Sequence, residues 1–235
     1  MTVQLTLDLA GRPALGREDF LVAPCNETAV AWIDRWPEWP GQVLALHGPP
    51  GAGKTHLAKV WQAMSGAEEV TPEALLASGF NPLEGAACRS FEDGDRHLAE
   101  SGQGAELERG LLHLVNATRE RGGQLLLTGR AAAAQWRCDL ADLRSRLGAV
   151  QSVRLGPPDD LLLQALLVKL FADRQIRPAP EVLSYLVARM ERSHSAARAL
   201  VEAIDRESLR AKRPVTLPLA RAALAELSGE EPQQT

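Results

Sequence analysis

The chain has few cysteines, no excess of positive charge and no long apolar run. Its 235 residues include three cysteines, Cys25, Cys88 and Cys138, which lie far apart and form no C-x-x-C pair. This spacing argues against a disulfide framework or a cysteine zinc site, and it indicates reduced thiols in the cytoplasm. The formal net charge is −4, so no overall basic field attracts nucleic acid. No apolar stretch reaches the roughly 18 residues of a membrane-spanning helix.

The N-terminus also lacks the pattern of a signal peptide, because Asp8 lies within its apolar alternation and no basic region precedes it. Residues 1–9 alternate as a strand does, and Gly11, Pro13 and Gly16 then break the pattern. The alternation predicts either an edge strand of the main sheet or an extended peptide that adds to a partner. Periodicity alone leaves both open.

A glycine-rich segment with lysine and threonine is the strongest positive signal. Residues 47–56 contain the pattern G-x-x-x-x-G-K-[ST], between an apolar strand-like segment at 43–46 and a helical segment at 57–61. This order predicts a phosphate-binding loop for a nucleoside diphosphate or triphosphate. Lys54 would reach the β- and γ-phosphates, and the Thr55 hydroxyl would ligate Mg²⁺. The predicted cofactor-binding residues of this segment are Gly48, Pro49, Pro50, Gly51, Ala52, Gly53, Lys54, Thr55 and His56.

Acidic residues after a second strand are candidates for the rest of a phosphoryl-transfer site. Glu92 and Asp93 follow a weak strand at 86–91, and Glu92 is the candidate second Mg²⁺ ligand. Asp95 is the next candidate for the same acidic role. Thr128, at the tip of a strong apolar strand, is placed to contact a γ-phosphate or a water. A solvated acidic turn and a threonine that only packs are the structural alternatives.

Two groups of basic residues could contact a phosphate. Arg144 and Arg146 lie on a short predicted helix at 140–147, where one arginine could act in trans on a neighbour's γ-phosphate. A surface salt bridge explains such an arginine as well. His194 and Arg198, at the start of a later helix, could fold back over the nucleotide or simply line a solvated helix face.

The order of elements predicts an α/β fold with a parallel sheet, followed by helices alone beyond Gly156. The predicted organisation is an N-terminal peptide and linker at 1–18, a nucleotide-binding α/β domain at 19–156, a helical domain at 157–228 and a tail at 229–235. The predicted helices are 27–35, 105–121, 140–147, 159–174, 181–190, 195–211 and 218–227. The clearest predicted strands are 43–46, 124–128 and 152–155.

Together these features resemble AAA+ ATPases, and within them the family of the replication initiator DnaA. They are most similar to Hda-like regulators of DnaA. The segments that carry the resemblance are 4–9, the phosphate loop, 125–129, 143–147 and 212–218. The resemblance covers nearly the whole chain. It implies an AAA+ P-loop NTPase fold, with a parallel β-sheet core flanked by helices and then a small all-α lid domain.

The N-terminal Q-L-x-L-x-L pattern takes its meaning from this resemblance. In Hda-like proteins such a peptide docks in the groove of the β sliding clamp. By that likeness the partner-binding residues would be Gln4, Leu5, Leu7 and Leu9. The resemblance therefore favours the extended peptide over the edge strand.

The resemblance also implies roles at the nucleotide. Arg146 matches the arginine finger, with Arg144 as second choice. Arg198 is the candidate sensor-two arginine, one turn beyond the usual position, where His194 or Ser195 falls here. Three apolar residues would lie near the adenine: Phe20, Leu21 and Val22.

The function implied is that of an adaptor that binds ADP or ATP with Mg²⁺, docks on the clamp and promotes hydrolysis of DnaA-bound ATP. The family's acidic pair runs Asp then Glu, and Glu92 and Asp93 reverse it, so slow intrinsic hydrolysis is expected. The chain ends near the end of the lid, so no sequence-specific DNA binding is expected. We expect a cytoplasmic, replisome-associated protein, a possible homodimer, with no membrane partner. The alternatives are an AAA+ helicase or transposition loader and a tether without catalytic effect.

Overall fold

The computed structural model describes residues 20–77, 87–100, 104–211 and 213–228. The predicted clamp-binding peptide, with Gln4, Leu5, Leu7 and Leu9, and the predicted tail at 229–235 lie outside the described residues. The strands are β1 (Val43–His47), β2 (Glu68–Glu69), β3 (Cys88–Phe91), β4 (Gln124–Gly129) and β5 (Gln151–Arg154). The helices that accompany them are α1 (Glu27–Asp34), α2 (Lys54–Ser65), α3 (Pro72–Ala77), α4 (Gly94–Glu100), α5 (Gly104–Glu120) and α6 (Ala141–Gly148). The later helices are α7 (Asp160–Ala172), α8 (Pro180–Arg189), α9 (His194–Ala211) and α10 (Leu217–Ser228).

The described strands form one five-stranded sheet in the order β2-β3-β4-β1-β5, and every pairing is parallel. All residues of β4 are buried, as are four of the five in β1, because helices cover both faces of a parallel sheet. The register pairs His47 with Gly129 and Phe91 with Leu127. The carboxyl ends of β1, β3 and β4 therefore meet at one edge. This edge gathers the phosphate loop, the acidic pair and Thr128.

Apolar cores on the two faces of the sheet fix the helices. On one face, Leu107 and Leu111 of α5 pack with Leu143 and Leu147 of α6, all at most 1% exposed. On the other face, α1 and α2 pack around the buried Trp61. Burying a leucine side chain stabilises the fold by about 1.5–3 kcal/mol. Packing therefore fixes which face of α6 turns towards α5, and the remaining side chains of α6 are left on the surface.

The lid, α7–α10, has its own apolar core, in which Phe171, Leu186 and Leu200 are fully or almost fully buried. Its first helix begins as predicted, since the side chain of Asp159 accepts a hydrogen bond from the Leu162 amide at 2.8 Å. The lid also contacts the sheet part directly. The backbone N–H of His194 donates to the carbonyl oxygen of Gly51 in the phosphate loop, at 3.3 Å.

The fold class predicted from the sequence is confirmed: a parallel sheet flanked by helices, followed by helices alone. The helices with predicted bounds and the three clearest strands are each found, with ends that differ by at most two residues. The helical segment predicted at 57–61 lies within the longer α2. Three elements were not predicted, namely β2, α3 and α4. Each is too short for a periodic pattern, because β2 has two residues, α3 six and α4 seven.

Candidate functional site

The phosphate loop joins β1 to α2 and depends on glycine at two points. Gly51 and Gly53 have φ values of 74° and 99°, in the left-handed region that glycine alone enters without strain. A Cβ on Gly51 would lie 2.2 Å from the Cβ of Ser193 in the lid. Gly53 is the N-cap of α2, so the loop presents a helix N-terminus, which favours an anion.

Lys54 lies inside this loop and is only 7% exposed. Its Nζ donates to the carbonyl oxygens of Gly48 and Pro49, at 2.8 and 2.9 Å. Burial lowers the pKa of Lys54, while the nearby carboxylates of Asp93 and Asp95 oppose that shift. The ammonium is thus held by neutral carbonyl oxygens where a phosphate would be a stronger acceptor.

Glu92 lies directly after β3 and touches the start of α2. Its carboxylate lies near enough to the Thr55 side chain for that side chain to lower its pKa. Its Oε1 atom is buried with no hydrogen-bond partner in the described part of the chain. Burial is the main cause that raises the pKa of Glu92. A buried carboxylate oxygen without a partner beside a threonine hydroxyl fits a Mg²⁺ ion or its water shell.

Asp93 and Thr128 meet where β3 and β4 end. The Asp93 amide donates to Oγ1 of Thr128 at 3.0 Å, which ties the acidic turn to the tip of β4. The Asp93 carboxylate lines the cleft above the loop. It also faces the exposed Arg96 at 3.9 Å, a pair that solvent screens strongly.

A cleft of about 740 Å³ lies over the phosphate loop, between the sheet edge and the lid. Its size falls within the usual range for small-molecule sites of about 300–1,000 Å³. The lining residues described are Pro50, Gly51, Gly53, Lys54, Thr55, His56, Lys59, Asp93, Arg130, His194, Ser195, Arg198, Ala199 and Glu202. Arg198, the candidate sensor-two arginine, is therefore at the cleft, and His194 is as well.

Other predicted residues lie beside the cleft or away from it. Phe20 is buried and its ring meets His56 edge-on at 5.2 Å, whereas Val22 is 51% exposed. Neither of these residues nor Leu21 lines the cleft as described. Arg146 lies on α6, is exposed and does not line the chain's own cleft. Its role and those of the other predicted site residues remain predictions.

The contribution of Arg130 to the cleft was not predicted from the sequence. Arg130 lines the cleft two residues after Thr128, and its charge is near enough to lower the pKa of Lys54. Asp95 holds that turn, since its Oδ2 accepts the amides of Arg130 and Ala131 at 2.7 and 3.0 Å. A basic residue just past a buried strand tip was the available signal for Arg130.

His194 joins the lid to the phosphate loop through hydrogen bonds. Its amide and its Nδ1 both lie 3.3 Å from the Gly51 carbonyl oxygen. Its ring meets His56 of α2 edge-on at 6.3 Å. Burial lowers the pKa of His194, the hydrogen bond to Gly51 opposes this, and the charge of Arg198 lowers it further. The lid therefore packs on the loop through a neutral imidazole.

The burial of His194 predicts that the free energy of unfolding falls in mild acid. The unfolded chain has a histidine pKa of about 6.5 and takes up the proton first, because the folded pKa is lower. Stability is therefore full above that value and is lost as pH falls towards the folded pKa. Urea unfolding at pH 7.5 and 5.5 should show a smaller pH loss for His194→Gln than for wild type. His47, whose pKa burial also lowers, accounts for part of the remaining slope, and equal losses in both proteins would contradict the assignment.

None of the helices in the described part of the chain is both long and apolar enough to cross a bilayer. Within the same part, no group of three or more histidine, cysteine or acidic side chains forms a metal cluster. A magnesium ion bound through phosphates, one hydroxyl and one carboxylate does not need such a cluster.

Known proteins are similar to this chain in the lid and in the overall fold. The family described as "Hda, lid domain" matches residues 161–224. Domain III of the replication initiation protein DnaA from Thermotoga maritima is similar in structure, with a TM-score of 0.78 and 18% identity over 92% of this chain and 97% of that one. AMPPCP-bound DnaA from Aquifex aeolicus gives a TM-score of 0.67 and 14% identity over 86% and 70% of the two chains. The Thermotoga maritima RuvB Holliday junction branch migration motor gives 0.59 and 16% over 79% and 61%.

Proposed function

Because the chain is an Hda-like, DnaA-related AAA+ protein, we propose that it is a nucleotide-dependent regulator of replication initiation. It docks on the β sliding clamp and promotes hydrolysis of DnaA-bound ATP. The observation that carries this proposal is the position of Arg146, which is exposed on α6 and outside the chain's own cleft. An arginine so placed is accessible to a nucleotide that another molecule binds.

The cleft is suited to ADP or ATP with Mg²⁺. Lys54 and the amides at the start of α2 would hold the phosphates, and Arg198 would reach them from the lid. Thr55 and Glu92 would hold the ion, which neutralises phosphate charge when bound. Support for an adenine nucleotide also comes from the similar DnaA structure that contains AMPPCP.

The chain's own hydrolysis is expected to be slow because of the order Glu92-Asp93. Glu92 lies beside Thr55, so we assign it to the ion side of the site. Asp93 is left to orient a water, and its side chain is one methylene shorter than the glutamate that the family carries there. Misplacement of a reacting group by about 1 Å can cost on the order of 100-fold in rate. Nucleotide thus serves mainly to hold the lid in place.

The effect on DnaA would come from a head-to-tail contact of AAA+ domains. In it, Arg146 would approach the γ-phosphate bound to DnaA, where a guanidinium stabilises the charge that develops during transfer. Arg144 on the same helix is tied back, since its Nη1 donates to the Cys138 carbonyl oxygen at 3.3 Å. This contact favours Arg146 over Arg144 as the arginine finger.

The clamp contact is proposed for residues 4–9, with Gln4, Leu5, Leu7 and Leu9 as anchors. Replacing Leu7 and Leu9 together by alanine should reduce clamp affinity by at least about 100-fold, given about 1.5–3 kcal/mol for each buried leucine. Calorimetry with the purified clamp measures this directly. Thr6→Ala is the matched control in the same peptide and should bind as wild type does. In a reconstituted assay, the double variant should also lose the clamp-dependent stimulation of DnaA, and retention of it would contradict the docking role.

A loader-type AAA+ ATPase is the rival function, and the presence of Asp93 in the cleft favours it. The two differ in what the purified chain does alone. Rapid ATP turnover without DnaA would support the rival, whereas the proposed regulator turns over slowly alone. We further propose a cytoplasmic, replisome-associated protein that can form a homodimer.

A further inference from the structure

The helix that carries Arg146 has no N-terminal cap from its own sequence. Its N-cap residue is Leu140, which makes no side-chain cap hydrogen bond. The cap comes instead from Glu108 on α5, which lies 31 residues before Asp139 and 32 residues before Leu140. Oε1 of Glu108 accepts the Asp139 amide at 3.0 Å, and Oε2 accepts the Leu140 amide at 2.7 Å. Both carboxylate oxygens therefore hold the start of α6.

The energetics make this contact selective for a carboxylate. Glu108 is only 7% exposed, and a buried charge is costly unless its lone pairs are satisfied. Two backbone N–H donors satisfy it, and the positive end of the α6 dipole favours a negative charge at that point. The two hydrogen bonds together make the contact bidentate, so it restricts both the axial position and the direction of the first turn of α6.

Packing alone leaves one degree of freedom that Glu108 removes. Leu143 and Leu147 are buried against α5, which fixes the face that α6 turns inward. Two leucines of one stripe do little to prevent sliding of the helix along that stripe. The Glu108 contacts fix that axial position. Arg146 lies seven residues after Asp139 and six after Leu140, which is about two turns of helix from the held amides.

We propose that Glu108 is a positioning residue for Arg146, which sets where the guanidinium stands relative to DnaA-bound ATP. This inference rests on the proposed function. It assigns no contact between Glu108 and nucleotide. Its effect passes through the placement of α6, and so its loss should alter catalysis more than binding.

The test compares Glu108→Ala and Glu108→Gln with wild type in a titration of ATP-bound DnaA on the loaded clamp. Glu108→Ala should lower the maximal stimulation by about 10- to 100-fold, since small misplacements of a catalytic group carry costs of that order. Glu108→Gln keeps one acceptor oxygen, so its maximal stimulation should lie between those of wild type and Glu108→Ala. The concentration for half-maximal stimulation, the affinity for ADP and the affinity for the clamp should stay at wild-type values. Glu106→Ala, an exposed glutamate on the same turn of α5, is the matched control and should stimulate fully.

Amide hydrogen exchange of the same variants tests the positioning step without DnaA. Exchange at Asp139, Leu140 and along α6 should accelerate in Glu108→Ala and stay unchanged in Glu106→Ala. Full stimulation by a folded Glu108→Ala protein would overturn the inference. So would a loss of stimulation that only parallels a loss of folded protein, or α6 exchange equal to wild type. If wild type itself fails to stimulate DnaA, the proposed function fails, and the exchange result still decides whether Glu108 holds α6.

Discussion

Replacing Arg146 by alanine is expected to reduce the stimulation of DnaA-bound ATP hydrolysis by about 10³-fold or more, the scale of an arginine finger supplied in trans. The physical reason is local. Arg146 is exposed on α6 and is not among the residues that line the chain's own cleft, so its loss should leave nucleotide binding by the chain intact. The rate at which DnaA-bound ATP is converted to ADP, followed under single-turnover conditions, measures the effect.

Arg144→Ala provides the matched control for this prediction, because it removes the same charge from the same helix. It should retain most of the stimulation, since the Arg144 guanidinium bonds back to the Cys138 carbonyl oxygen. Calorimetry with ADP should show equal affinities in both variants and wild type. Unchanged stimulation by Arg146→Ala would contradict the finger assignment, and a selective loss in Arg144→Ala would transfer the role to that residue.

The second large effect is expected at Lys54. Replacing it by alanine should weaken ADP and ATP binding by at least about 100-fold, because a charge-assisted hydrogen bond to phosphate contributes about 1.5–3 kcal/mol and the phosphate charge then lacks its buried partner. Fluorescence or calorimetric titration with each nucleotide measures the change. The stimulation of DnaA should fall with it, if nucleotide holds the lid on the loop.

Lys59→Ala is the comparison for this change. Lys59 lines the same cleft from α2 but is exposed, so water screens its interaction with phosphate and only a small loss of affinity is expected. Nucleotide affinity retained in a folded Lys54→Ala protein would show that the phosphate loop does not grip the ligand through this lysine.

The sequence predicted the parts of the site that are local in the chain. The phosphate loop has a fixed spacing and a strand and a helix at its ends, so its position and its glycines followed from residues 47–56 alone. Thr128 was predicted because β4 is uniformly apolar up to its tip. Glu92 and Asp93 were predicted to follow a weak strand, and β3 is found there despite Arg89 and Ser90, which are both buried.

Contacts between distant residues could not be read in this way. The cap of α6 joins Glu108 to amides that follow it by 31 and 32 residues. The lid reaches the loop through His194 and Gly51, which are 143 residues apart. Such pairs depend on how α5 and α9 pack, and periodicity carries no information about which polar group meets which. The same limit applies to Arg130, whose approach to Lys54 depends on the turn that Asp95 holds.

The most direct measurement is ADP formation by ATP-loaded DnaA, with the clamp on DNA and the nucleotide-bound protein added last. We expect hydrolysis to accelerate only when the clamp, its DNA and the protein are all present, and to return to the basal rate when any of them is omitted. A basal rate that persists with the folded, nucleotide-bound protein at saturating concentration would contradict the account.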